Sequence, residues 1–125
     1  MSDRYPWNPA DLEAKADIEP ASFFAVDMRV GVVIDVEEFP EARKPAWKLT
    51  VDFGPVIGTR HTSAQVTNYS RDELVGRKVV GALNLGSKRI AGFRSEFLLL
   101  GTMDPDGLVR LLQVEQDAPL GAAIA

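Results

Sequence analysis

Residues 28–39, MRVGVVIDVEEF, set Val30, Val32, Ile34 and Val36 in alternation and place Gly31 among them. Two-residue periodicity rich in β-branched side chains is a strand pattern. A glycine inside such a run marks a bend or a close approach by another group. The same combination returns in KVVGALNL, residues 78–85, around Gly81. Two strands of this kind predict a strongly coiled sheet, with the curvature that closes a small barrel.

The remaining segments fill in that barrel. WKLTVDFG predicts a second strand with Trp47, Leu49, Val51 and Phe53 on one side, and VIGTRHTSAQV a weaker third. SEFLLLG predicts a fifth strand buried on both faces, LVRLLQV a short sixth, and GSKRIAGFR a loop or turn between the fourth and fifth. FPEARKPAW is a loop between prolines, with Phe39 and Trp47 packing at its base. SRDELVG reads as a short helix: Ser70 is the N-cap, Glu73 its capping-box partner and Gly76 the terminator. Pro20 opens another, with Phe23, Phe24 and Val26 as its apolar face and its end near Asp27. Five strands with a helix between the third and fourth follow the order of an OB-fold, a partly open Greek-key barrel. The expected fold is therefore all-β, a five-stranded Greek-key barrel with short flanking helices and a C-terminal strand extension. Residues 1–17 are set apart as an N-terminal arm, in which PADLEAKAD favours a short helix with Leu12 as its one large apolar residue; residues 18–125 form the domain.

Composition removes most catalytic classes. The 125 residues include no cysteine and one histidine, His61, so disulfides, thiolate nucleophiles and multi-histidine metal sites are excluded. Ser63 and Ser95 have one imidazole to share and no G-x-S-x-G context. Glu37 and Glu38 fall on opposite faces of a strand, Asp104 and Asp106 sit in a turn with too few ligands for calcium, and no phosphate-loop pattern occurs. The expectation is a protein that is not an enzyme, with no cofactor and no metal. No apolar run approaches the roughly 20 residues that span a bilayer, and MSDRYPWNPADLEAKAD is too polar for a signal peptide. A cytoplasmic chain without membrane insertion is expected.

Charge is distributed unevenly. The net charge is −4, yet residues 77–94 hold Arg77, Lys78, Lys88, Arg89 and Arg94 and no acid. Phosphate contacts use mobile cations, and base contacts use a flat donor–acceptor group. Lys88, Arg89 and Arg94 on one loop, with Asn84 at its start, supply both, although a charged surface turn would look the same. Arg43 and Lys44 lie in the proline-bounded loop that flanks the ligand groove of OB-folds. Arg60 is on the strand bordering that groove. His61 alternates with Arg60 and Thr62 and reads as a half-exposed strand residue.

The runs DMRVGVV, EEFPEARKPAWKLTVDFG, NLGSKRIAGFRSEFLLLG and VRLLQVEQDAPLG resemble the CsaA family of small bacterial secretion chaperones. That family is similar in turn to the tRNA-binding module appended to methionyl- and phenylalanyl-tRNA synthetases. The resemblance runs from about residue 18 to residue 125 and implies an OB-fold, a homodimer, no enzymatic activity, and two ligand types: tRNA, and unfolded or preprotein polypeptides. It implies tRNA contacts at Asn84, at Lys88 and Arg89, and at Ser95 with Glu96. The glutamate stands where the wider module has glutamine, and that spelling is the one expected of CsaA.

Three readings follow: a dimeric chaperone in protein export, a structure-specific tRNA binder acting in trans in translation, and a structural dimerisation module. The candidate tRNA-binding residues are Asn84, Lys88, Arg89, Arg94, Ser95, Glu96, Arg60 and Lys44. Five strands cannot enclose all the apolar material outside them, so Phe23, Phe24, Leu111 and Leu112 are expected at a homodimer interface.

Overall fold

A computed structural model describes residues 7–125. The elements are α1 (Pro20–Phe24), β1 (Met28–Glu38), β2 (Trp47–Asp52), β3 (Thr59–Ala64), α2 (Arg71–Leu74), β4 (Lys78–Ala82), β5 (Lys88–Ile90), β6 (Phe93–Ser95) and β7 (Leu98–Leu99). Five strands form one antiparallel sheet in the order β3-β2-β1-β4-β7. The long β1 serves two neighbours: Met28 to Val32 pair with β4, and Val32 to Glu38 pair with β2. The two outer strands then approach each other. Thr62 Oγ1 donates to the Phe97 carbonyl at 2.9 Å, and the Glu96 N–H donates to the His61 carbonyl at 2.8 Å. The sheet is thereby a nearly closed five-stranded barrel of the OB type.

The interior explains the glycines. A Cβ at Gly31 would lie 2.5 Å from Val51 and 2.8 Å from the Phe53 ring, and one at Gly81 would lie 2.7 Å from Phe53 and 2.9 Å from Phe97. Both glycines therefore leave the space that Phe53 occupies. Its ring meets Phe97 edge to face, with centroids 5.0 Å apart. Val33, Val36, Leu49, Val51, Val66, Leu74, Val79, Leu83 and Leu111 complete this core. A second, smaller cluster lies on the other side of the sheet, where Met28, Val80 and Ala82 pack with Leu100, Val114 and Ile124. The C-terminal segment covers it by adding to the free edge of β1: Val30 N–H donates to Ala122 O, and Ile124 N–H to Met28 O. The expected C-terminal extension is thus a short strand-like addition, with one bridge at Arg29 and Ala123.

Several expectations need correction. β1 carries a bulge between Val33 and Asp35, which shifts the alternation. Val33 and Val36 face the core, whereas Val32 is half-buried and Ile34 is exposed. GSKRIAGFR is a β-hairpin, β5–β6, rather than an irregular loop. SEFLLLG keeps only Leu98 and Leu99 in the sheet. LVRLLQV makes no strand; it returns beside residues 100–102 through a single bridge, Leu111 to Gly101. Leu111, expected at an exposed interface, is buried in the barrel core of this single chain, while Leu112, Phe23 and Phe24 are exposed. Residues 12–17 of the arm form no helix, and Asn8 organises only a turn before them. Leu12 alone offers no face whose burial would offset helix nucleation. Residues 1–6 of the expected arm lie outside the described residues. Both short helices are present, and the Ser70–Glu73 capping box forms in both directions.

Replacing Gly81 by alanine should destabilise the barrel by about 1–3 kcal/mol through overpacking against Phe53 and Phe97. A lower urea midpoint at unchanged slope would show this; an unaltered midpoint would contradict the packing account.

Candidate nucleic-acid interface

Strand alternation sets the outer face of β2 and β3. Leu49 and Thr62 turn into the barrel, so the register Lys48–Ser63 and Thr50–His61 puts those four side chains outside. Two projecting segments flank this face. One is the loop from Phe39 to Ala46, stiffened by Pro40 and Pro45; the other is the β5–β6 hairpin. Between them lies an open groove of about 620 Å³. The loop contributes Ala42, Arg43 and Lys44, the end of β3 and the residue after it contribute Ser63 and Gln65, and the hairpin tip contributes Ile90 and Ala91.

The hairpin is held at three levels. At its base the Ser95 hydroxyl lies 2.8 Å from that of Thr62. Higher up, Phe93 packs edge to face on Phe39, with centroids 5.5 Å apart. The Lys48 ammonium lies 4.9 Å from the Phe39 centroid and 5.3 Å from that of Phe93, so one cation bridges both rings. At the tip Ala91 and Gly92 both have positive φ, +48° and +81°, and form the two-residue turn that matches strand twist. Arg89 braces it by donating to the Gly92 carbonyl at 3.0 Å.

Pairing in the hairpin sorts its charges. Arg89 lies directly opposite Arg94, on the face away from Ile90 and Phe93, while Lys88 lies opposite Ser95. Like charges directly across a ladder destabilise it. Among the described residues no carboxylate lies within ion-pair distance of Lys44, Lys88, Arg89 or Arg94. Arg77 and Lys78, from the same basic stretch, are engaged elsewhere. Arg77 stacks on Tyr69 and donates to Gln113, and Lys78 donates to the Ala118 carbonyl.

A family profile described as "Putative tRNA binding domain" matches residues 28–123. The chain belongs to this tRNA-binding domain family. Its fold and sequence are similar to the CsaA chaperone of Picrophilus torridus, with 43% identity and a TM-score of 0.82 over 87% of this chain and 100% of that one. The CsaA chaperone of Bacillus anthracis is 41% identical, also with a TM-score of 0.82, over 88% of this chain and 100% of its own. The methionine–tRNA ligase of Methanococcus maripaludis is 36% identical over 111 residues, 88% of this chain but 16% of the ligase. The chain thus spans a small fraction of the length of the curated relatives it matches.

The candidate tRNA-binding residues read from the sequence differ in what they contact. Lys44 stands at the groove, and Lys88, Arg89 and Arg94 stand on the hairpin. Arg60 shares the face of Thr62 and is half-buried, away from the face that carries His61 and Ser63. Asn84 is a fastener: its Oδ1 accepts from the Asp27 N–H at 2.7 Å and its Nδ2 donates to the Ala25 carbonyl at 2.8 Å, tying α1 to the end of β4. Ser95 and Glu96 close the barrel. Glu96 Oε1 accepts from the His61 N–H at 2.9 Å and lies 3.1 Å from the His61 ring Nδ1. Sequence reasoning missed Lys48, Gln65, Ile90 and Ala91 as members of the site. Lys48 was available as the polar member of the alternating strand WKLTVD.

Partial burial raises the Glu96 pKa, but the hydrogen bonds from the His61 backbone and ring, and then the charges of His61 and Arg60, outweigh it and hold the carboxyl below its ordinary 4.5. A folded pKa below the unfolded one means that ionised Glu96 contributes stability above the unfolded value, and that this contribution is lost as pH falls through the folded value. The stability difference between wild type and Glu96→Gln should shrink as the pH falls from about 5 to about 3. Urea melts across that range would show it; a difference independent of pH would contradict it.

Proposed function

We propose that the chain is a non-catalytic module that binds tRNA through the β5–β6 hairpin and the adjoining face of β2 and β3, and that it works in the cytoplasm, where tRNA is. The observation that carries this reading is the Arg89–Arg94 pair. Arg89 and Arg94 are cross-strand partners on an anchored hairpin, and among the described residues no carboxylate lies within ion-pair distance of either. A phosphate between them would turn a repulsion into two charge-assisted contacts. Lys88, Lys44 and Arg43 extend the positive surface toward the groove. The family match supports the ligand class.

A second reading is favoured by the likeness to CsaA chaperones over their whole length. It makes the chain a homodimeric chaperone for unfolded or preprotein polypeptides in export. Phe23 and Phe24, stacked edge to face on α1, are exposed, as are Leu98 and Leu112. They offer apolar area for a second copy or for a client, on an α1 whose end Asn84 fixes. Residues 1–17 then act as an appended arm and residues 18–125 as the binding domain.

Replacing Lys88, Arg89 and Arg94 together by serine should leave the fold intact, since exposed charges alter stability by about 0.5 kcal/mol or less each. The triple variant should bind tRNA more weakly, with the slope of log K against log salt reduced by about one unit for each phosphate it no longer neutralises. Unchanged affinity and slope would remove the hairpin from the site. Binding of a reduced, unfolded polypeptide with little salt dependence and a large negative heat-capacity change would support the second reading.

A further inference from the structure

Ala91 has φ of +48°, and no other residue among those described, apart from glycines, has a positive φ. A Cβ in this region crowds the backbone carbonyl, and at the first position of such a turn asparagine, aspartate or glycine avoids or tolerates the strain better. Gly92 meets its own positive φ with no side chain. Position 91 instead holds a methyl group, and Ala91 lines the groove beside Ile90. Strain kept at a wall of a cleft points to a contact that the methyl makes there.

The rest of the groove specifies the contact. Its walls are largely apolar, from Phe39, Ala42, Ala46, Ala64, Ile90 and Ala91, and among the described residues its lining includes no acid. Arg43 and Lys44 stand at the loop side. Among the described residues the Gln65 amide and the Ser63 hydroxyl have no hydrogen-bond partner in the chain, and both border the groove. A volume of about 620 Å³ falls in the range of roughly 300–1,000 Å³ that holds small ligands. A duplex does not enter such a slot, whereas an unstacked base does. A primary amide presents a donor and an acceptor side by side, the pattern that pairs with a base edge and adenine above all.

We infer that the groove holds one unstacked nucleotide, its base between the Ala42–Ala64 wall and the Ile90–Ala91 tip, its edge at Gln65 and its phosphate at Arg43 and Lys44. This rests on the RNA-binding reading and adds a pocket that reads a base to a hairpin that holds phosphates.

The test is a titration of the full chain with adenosine 5′-monophosphate, followed by amide and methyl NMR, with inorganic phosphate and a short unfolded peptide as separate probes. The nucleotide should shift Ala64, Gln65 and Ala91, with a Kd of order 1 mM, as expected for one base and one phosphate. Ala91→Gly removes the strained Cβ and should fold at least as stably as wild type. It should nevertheless weaken the nucleotide about threefold or more, as should Gln65→Ala. Both variants should weaken tRNA binding without changing its salt slope, since every cation that meets a phosphate is still in place. Identical shifts from phosphate alone would overturn base recognition. Shifts from the peptide but not the nucleotide would assign the groove to polypeptide. An Ala91→Gly variant with unaltered nucleotide affinity would overturn the role given to the methyl. Nucleotide binding at the groove in a chain that fails to bind tRNA would refute the proposed function and leave the pocket standing.

Discussion

Phe53 sits where two side chains are missing. Gly31 and Gly81, on adjacent strands, turn their bare Cα atoms toward its ring, and any Cβ there would fall inside contact distance. This packing sets how tightly β1 and β4 curl. It also places Phe97, which meets Phe53 edge to face, at the position from which its carbonyl accepts the Thr62 hydroxyl. The barrel closes through that bond and through the mutual hydrogen bonds of His61 and Glu96. The hairpin that carries Lys88, Arg89 and Arg94 immediately precedes this closure. Its position over β3 therefore follows from the packing of one phenylalanine against two glycines. An interior this close-packed moves little, so the hairpin and the proline-bounded loop are presented to a ligand already in place, and binding loses less entropy.

Much of the barrel was legible because its signals are local. In-strand glycines, the alternation of WKLTVD and the capping box of SRDELVG each announce an element within a few residues. What the glycines make room for was not legible, since Phe53 is remote from both in the chain. The bulge in β1 was hidden because Val33 and Ile34 are both apolar, and the run VVI reads the same with either face buried. The hairpin was hidden by its turn: Ala-Gly lacks the Asn-Gly or Asp-Gly signature, and each strand has only three residues. Leu111 looked like exposed strand material because nothing in LVRLLQV shows that the segment folds back over the core.

The candidate site was legible by residue type and less so by role. Basic residues in the NLGSKRIAGFRSE segment were visible, and they do stand on one hairpin. Asn84, Ser95 and Glu96 are polar residues of kinds that contact RNA, but their partners are Asp27 and Ala25, Thr62, and His61, all distant in sequence. Residue type alone does not separate a side chain that meets a ligand from one that satisfies a backbone group of its own chain. Register and hydrogen-bond partners do, and they transfer interest from Asn84 and Glu96 to Lys48, Gln65 and Ala91.

The chain has five lysines, and their placement gives a compact readout of which face meets RNA: Lys44, Lys48 and Lys88 border the loop, the outer face of β2 and the hairpin, while Lys15 lies in the arm and Lys78 beneath the C-terminal segment. Brief acetylation of the protein with and without tRNA, read by mass spectrometry, tests the account directly. Protection of Lys44, Lys48 and Lys88, with Lys15 and Lys78 unchanged, is the result it predicts. Equal modification of Lys44, Lys48 and Lys88 in both samples, under conditions where tRNA is bound, would contradict it.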